Sequence, residues 1–128
     1  MKLKKIIFIT LLLVCCNTVY AAITADDIIA YPVPFNPKEK TLTIGTKASS
    51  TVTLSSPYSI KVSIYDINGD LIIQKSASGN IHWNGRNKSG RIVKPGLYIL
   101  KVEIENISNL SGNSSEYIKK IIRILIDY

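Results

Sequence analysis

Three turn motifs crowd into the stretch between Tyr65 and Tyr98, and they constrain the fold more than anything else in the chain. They are Asp66-Ile67-Asn68-Gly69-Asp70, Trp83-Asn84-Gly85-Arg86-Asn87-Lys88-Ser89-Gly90 and Pro95-Gly96-Leu97-Tyr98. Glycine reaches positive φ without a steric penalty, proline presets one turn dihedral, and Asn or Asp bonds its own backbone. Set between runs of β-branched residues at this spacing, such motifs demand short strands joined by tight reversals, as in a small sandwich. None of them is a catalytic constellation.

The runs between the turns alternate with a period of two. Leu42 and Ile44 interleave with Thr41 and Thr43, and Val52 and Leu54 with Thr51 and Thr53. Ile60, Val62 and Ile64 share one face against Lys61, Ser63 and Tyr65. The pair Asn68-Gly69 predicts a type I′ hairpin, in which both central residues need positive φ. Leu71–Ile73 forms the return strand, Ile81–Trp83 another, and Ile92-Val93 a brief one. Asn84-Gly85 and Ser89-Gly90 are two close reversals that push Arg86 to Lys88 outward, and Pro95-Gly96 fits a type II turn. Tyr98, Leu100, Val102 and Ile104 then line one face of the best strand. A polar loop, Asn106 to Ser115, leads to a last strand from Tyr117 with Ile118, Ile122, Ile124 and Ile126 on one side. Tyr117, Ile121 and Ile124 also have helical spacing, but isoleucines this dense lose rotamer freedom in a helix and pack well on a pleat. The fold expected is all-β, a sandwich of about seven or eight antiparallel strands.

Residues 1–21 read as a cleavable signal peptide. Lys2, Lys4 and Lys5 precede an apolar stretch from Ile6 to Cys16, and Val19-Tyr20-Ala21 suits a signal peptidase. A membrane anchor is the competing reading, but it needs about 20 apolar residues and Asn17-Thr18 closes the run early. Lipid attachment at Cys15 or Cys16 needs a small residue just before the acceptor, which Val14 and Cys15 supply poorly. The remainder divides into a leader and Pro-rich extended segment at 22–40 and the sandwich at 41–128. Within the former, Tyr31-Pro-Val-Pro-Phe-Asn-Pro37 is stiff, with Tyr31 and Phe35 folding back as plugs over one end of the core.

Cleavage would remove both cysteines, so the core must be held by apolar packing without disulfides. It would also leave 13 basic against 9 acidic side chains, a net charge of +4 without a basic cluster. Nucleic-acid binding, which needs a basic patch interleaved with stacking aromatics, is not expected. Nor is a stable membrane span once the signal is gone.

Five motifs in order carry a family resemblance: Tyr31-Pro-Val-Pro-Phe-Asn-Pro37, Val62-Ser-Ile-Tyr-Asp-Ile-Asn-Gly69, Trp83-Asn-Gly-Arg-Asn-Lys-Ser-Gly90, Pro95-Gly-Leu-Tyr98 and Lys119-Lys120-Ile121-Ile122. From about Tyr31 to Ile126 the chain resembles the immunoglobulin-like domain of the flagellar hook-capping protein FlgD. It is equally similar to related C-terminal modules of secreted bacterial proteins, many of them sorting domains of the type IX secretion system. The resemblance implies an immunoglobulin-like antiparallel β-sandwich without enzymatic activity, serving as an assembly module or as an address read by export machinery. Family members usually sit behind larger domains, and here little besides the signal peptide precedes the module.

Chemical alternatives find little support. Asp66, Asn68 and Asp70 start like a calcium loop, but the positions requiring glycine and a bidentate glutamate hold Leu71 and Ala77. His82 is the sole histidine and reads as a surface or partly covered imidazole; no serine lies in a nucleophile elbow. Glu103 and Glu105 beside Lys101 read as a solvated strand face. No catalytic residue, metal or cofactor is expected. Asn68, Gly69, Trp83, Gly85, Gly90, Pro95, Gly96 and Tyr98 are assigned to turns and core. Arg86, Lys88, Lys119, Lys120 and Arg123 are the candidates for recognition, the last three being alternatively gatekeepers that stop a strand edge from aggregating. The function expected is that of an exported, non-enzymatic interaction module of the bacterial envelope or extracellular space, with an unidentified protein partner. The alternative is a sorting domain directing export across the outer membrane.

Overall fold

A computed structural model describes residues 23–47, 54, 58–106 and 117–128. Seven strands follow one another among the described residues: β1 (Ile28–Tyr31), β2 (Leu42–Thr46), β3 (Tyr58–Asp66), β4 (Leu71–Ala77), β5 (Ile81–Trp83), β6 (Gly96–Asn106) and β7 (Tyr117–Ile126). They form a three-stranded sheet, β1-β2-β5, and a four-stranded sheet, β4-β3-β6-β7, with every strand pairing antiparallel. The architecture is an all-β sandwich. Among the described residues no helix is long and apolar enough to cross a membrane.

The period-two alternation sets the layers. Ile60, Val62 and Ile64 of β3, Leu100, Val102 and Ile104 of β6, and Ile124 and Ile126 of β7 turn inward and are buried. They meet Ile28, Leu42, Ile44, Ile81 and Trp83 from the opposite sheet. Burying each such side chain stabilises the fold by about 1.5–3 kcal/mol. Tyr117–Ile126 is a strand along its whole length, as its β-branched residues require.

Four expectations are corrected. The folded unit begins inside the stretch expected to precede it: Ile28–Tyr31 pairs with β2, and Ile23 and Ile28 are buried. The short run of four residues is hard to recognise because it lacks a clean period. Phe35 is a core plug, but Tyr31 is 40% exposed and does not cap the core. The Asn68-Gly69 turn is not type I′, because only Gly69 has positive φ (87°). Asp66–Gly69 closes through a Gly69 N–H to Asp66 carbonyl bond of 3.1 Å, with Gly69 then bulging as β4 begins. Ile67 and Asn68 thus occupy the central positions, and Asn68 keeps negative φ. The Pro95-Gly96 corner likewise departs from type II: Gly96 has φ 145°, well beyond about 80°. The expected signal peptide, residues 51–53 of the second predicted strand, and residues 107–115 of the polar loop lie outside the described residues.

Candidate interaction surface

The end of the sandwich that carries the turns is anchored by three rings packed at an angle to one another. Trp83 lies 5.8 Å from Phe35 and 6.4 Å from Tyr98, centroid to centroid, the second pair edge-on at 60°. The Trp83 and Tyr98 side chains are also tied to backbone, and Phe35 is held through its own main chain. The Trp83 indole N–H donates to the Arg86 carbonyl (2.9 Å), and the Tyr98 hydroxyl donates to the Lys94 carbonyl (2.7 Å). Phe35 donates its N–H to the Leu125 carbonyl (2.8 Å), and its carbonyl accepts the Asp127 N–H (3.1 Å). Burial, reinforced by the charges of Asp66 and Tyr128, pushes the Tyr98 phenol above its ordinary pKa, so it stays a donor.

Gly85 lies under this cluster at φ 74°, and a Cβ there would collide with Pro37 and crowd the Phe35 ring. Beyond it, Asn87–Arg91 reverses the chain. The Arg86 guanidinium folds back on that reversal, donating to the Gly90 carbonyl (2.7 Å), while Lys88 stands exposed at the tip. Asp66, Asn68, Asn87, Arg91 and Lys94 border an open cleft of about 500 Å³ beside Tyr98. Asp66 is occupied in shaping its own turn: its Oδ1 accepts the N–H of Asn68 and of Asp70, each at 2.9 Å.

The outer face of the four-stranded sheet is divided. At the turn end, Leu97 faces Leu125 across β6 and β7, and Tyr65, Ile99 and Arg123 form the next row. Lys101 and Ile121 follow, then Lys61, Glu103 and Lys119. Ile67 is 71% exposed, Ile121 54% and Leu97 52%. Ile67, Leu97, Ile99 and Arg123 enclose a shallow depression of about 200 Å³. An apolar surface thus lies on the side of the sheet that does not face the core, where water would ordinarily be met by polar groups.

The other half of that face is charged, its ions paired around Glu103, whose buried Oε2 has the Lys61 ammonium nearby but no hydrogen bond among the described residues. Glu103 meets Lys101 at 3.1 Å and Lys61 at 3.3 Å, and Tyr117 donates its hydroxyl to Glu103 Oε1 at 2.7 Å. The Tyr117 hydrogen bond first, then that from Lys101, holds the Glu103 carboxyl down at about 2. The same interactions raise the Tyr117 and Lys101 pKa values.

The five cationic candidates do not form one site. Arg86 and Lys88 belong to the turn between β5 and β6, away from the three on β7. On β7 the side chains alternate, so Lys119 and Arg123 project outward while Lys120 turns inward. Lys120 bridges the sheets, its Nζ donating to the Ile28 carbonyl at 2.7 Å. Leu97, Ile121, Leu125 and Ile67 are the residues that sequence reading passed over. Their signal lay in β6 and β7, where Leu97, Ile99, Ile121 and Leu125 are apolar at the positions whose parity opposes the core.

No protein-family model matches the chain, and no curated protein matches it. Among solved structures it is similar to PorZ, an essential bacterial surface component of the type IX secretion system of Porphyromonas gingivalis. The two share 24% identity with a TM-score of 0.51 over 80% of this chain. The match spans 12% of PorZ, so this chain corresponds in length to a small part of that protein. The likeness is one of fold.

Proposed function

We propose that this chain is an exported, non-enzymatic immunoglobulin-like module that docks on another protein of the bacterial envelope or extracellular space. The observation that carries the reading is the apolar surface of Ile67, Leu97, Ile121 and Leu125, on the solvent side of the four-stranded sheet. Exposed apolar groups that lie together are what protein interfaces bury. The immunoglobulin assignment is supported by the strand order β1-β2-β5 against β4-β3-β6-β7. It is further supported by a tyrosine corner, with Tyr98 near the start of β6 bonding back to Lys94. A binding role rather than catalysis is favoured because side chains able to do chemistry are engaged in structure: Asp66 and Asn87 shape turns, and Glu103 is held by two lysines and a tyrosine.

Photo-crosslinking in the producing cell tests this reading. A photoreactive residue at Leu97 or Leu125 is expected to give an adduct of defined mass, and one at His82, on the outer side of the opposite sheet, is expected to give none. Equal labelling at all three positions, or none at Leu97 and Leu125, rejects the docking face. Fractionation of the same cells tests export, and recovery of the chain in the cytoplasm rejects that part.

A second reading, a sorting domain of the type IX pathway, is favoured by the fold likeness to a segment of PorZ. Intact-mass measurement separates the two. Loss of β7 on delivery to the surface supports sorting, whereas an intact chain retained in an assembly supports the module.

A further inference from the structure

In the plane of its sheet β7 has two sides, and one is paired to β6 from Tyr117 to Ile126. On the other, Phe35 makes a single parallel bridge, using the Leu125 carbonyl and the Asp127 N–H. The N–H and C=O of a strand residue point the same way, and the direction alternates along the chain. The parity of Leu125 and Asp127 therefore aims the backbone groups of Lys119, Ile121 and Arg123 at this free side. Among the described residues, no backbone group pairs with them there.

A groove of about 370 Å³ runs beside the open edge, walled by Ile29, Ala30 and Val33 on one side and Ile121 and Ile122 on the other. Lys120 crosses it to reach Ile28. Lys119 and Arg123 flank the open stretch, and neither forms an ion pair among the described residues. Glu103, which faces Lys119 across the ladder, is already held by Lys61 and Lys101. A second copy is a poor occupant. Antiparallel pairing about Ile121 would set Lys119 of one copy directly against Arg123 of the other, and like charges so opposed are destabilising.

Resting on the interaction-module reading, we infer that the β7 edge accepts an extended strand of a partner protein whose residues alternate between acidic and apolar. The added strand takes its backbone bonds from Lys119, Ile121 and Arg123. Its acidic side chains lie on the outer side near Lys119 and Arg123, and its apolar ones turn into the groove against Ala30, Val33 and Ile122. Backbone pairing supplies affinity and the alternating side chains supply selectivity, as in other strand additions.

The test uses the purified chain and a labelled peptide of about ten residues alternating valine and glutamate, long enough to span an ordinary strand. A second peptide with lysine in place of glutamate is the control. The glutamate peptide is expected to bind, to weaken with salt, and to lose about tenfold or more in affinity when Lys119→Glu and Arg123→Glu are combined. Hydrogen exchange at the Lys119, Ile121 and Arg123 amides is expected to slow in the complex. Ile121→Pro removes an edge donor while sparing the bonds to β6, so it is expected to abolish binding; Ile121→Ser keeps the N–H and is expected to retain it. If the proline variant does not fold, the charge reversal and the exchange measurement carry the test. Absence of binding, equal binding of both peptides, or binding without protection of those amides overturns the inference. Crosslinks from Leu97 and Leu125 would persist in that case, because they depend on the outer face and not on the edge.

Discussion

Asp66 and Asn87 occupy the same position in two turns that share one hydrogen-bond pattern. The Oδ1 of Asp66 accepts from the N–H groups of Asn68 and Asp70, and the Oδ1 of Asn87 from those of Ser89 and Arg91. In both, the leading residue pairs its N–H with the carbonyl four residues on, and the glycine three residues on donates to the leading carbonyl. Gly69 and Gly90 then take φ 87° and 78°. One local solution, a carboxylate or amide oxygen gathering two N–H donors ahead of a left-handed glycine, has been used twice at the same end of the sandwich.

Truncating either leading residue removes two side-chain bonds from an exposed turn. Asp66→Ala and Asn87→Ala are each expected to cost about 1–2 kcal/mol, read from the urea midpoint. Asp66→Asn keeps the acceptor and is expected to retain most of the stability. Equal losses for the alanine and asparagine variants would mean that the oxygen is not what holds the turn.

The glycines of these turns differ in what surrounds them. Nothing lies within 4 Å of a Cβ at Gly69 or Gly90, so alanine there meets only the backbone penalty of about 1–2 kcal/mol. At Gly85 the new methyl also strikes Pro37 and crowds Phe35, adding an overpacking cost of about 1–3 kcal/mol. Thermal melts of the three alanine variants are expected to rank Gly85→Ala as clearly the least stable.

Phe35 joins the Pro-rich segment to both the core and β7. Phe35→Ala is expected to cost about 3–5 kcal/mol and to accelerate exchange of the Asp127 amide, which the Phe35 carbonyl accepts. Tyr98→Phe, which deletes a single hydroxyl bond to Lys94, is expected to cost about 1 kcal/mol. A Phe35→Ala variant that melts like the wild type would remove the segment from the folded unit.

Glu103 ties stability to acid pH. Its folded pKa of about 2 lies below the ordinary glutamate value, so the unfolded chain binds its proton first as pH falls. The contribution is therefore fully present above about pH 4.3 and disappears as pH drops through about 2. Glu103→Gln is expected to flatten the pH dependence of the urea midpoint within that window and to leave its slope near neutrality unchanged. An identical acid limb in the variant would show that other carboxylates carry the dependence.

Much of the sandwich was legible in the sequence because its signals are local. Alternation in β3, β6 and β7 reports which side chains face inward, and glycine marks where the backbone must reverse. β1 was not legible: Ile28–Tyr31 is too short to display a period, and it shows as a strand only once its pairing with β2 is formed. The turn at Asn68 was misread for a related reason, since a type I turn followed by a glycine bulge and a type I′ turn draw on the same Asn-Gly pair.

The residues alone determined that this chain must be a pleated, glycine-cornered protein with Trp83 and Tyr98 in its interior, because backbone sterics and hydrophobic periodicity act over a few neighbours. Only the tertiary structure decided which surfaces are left to partners. Whether Ile121 meets water or Lys120 meets Ile28 depends on which strand lies alongside which, and that order is set by packing between distant segments.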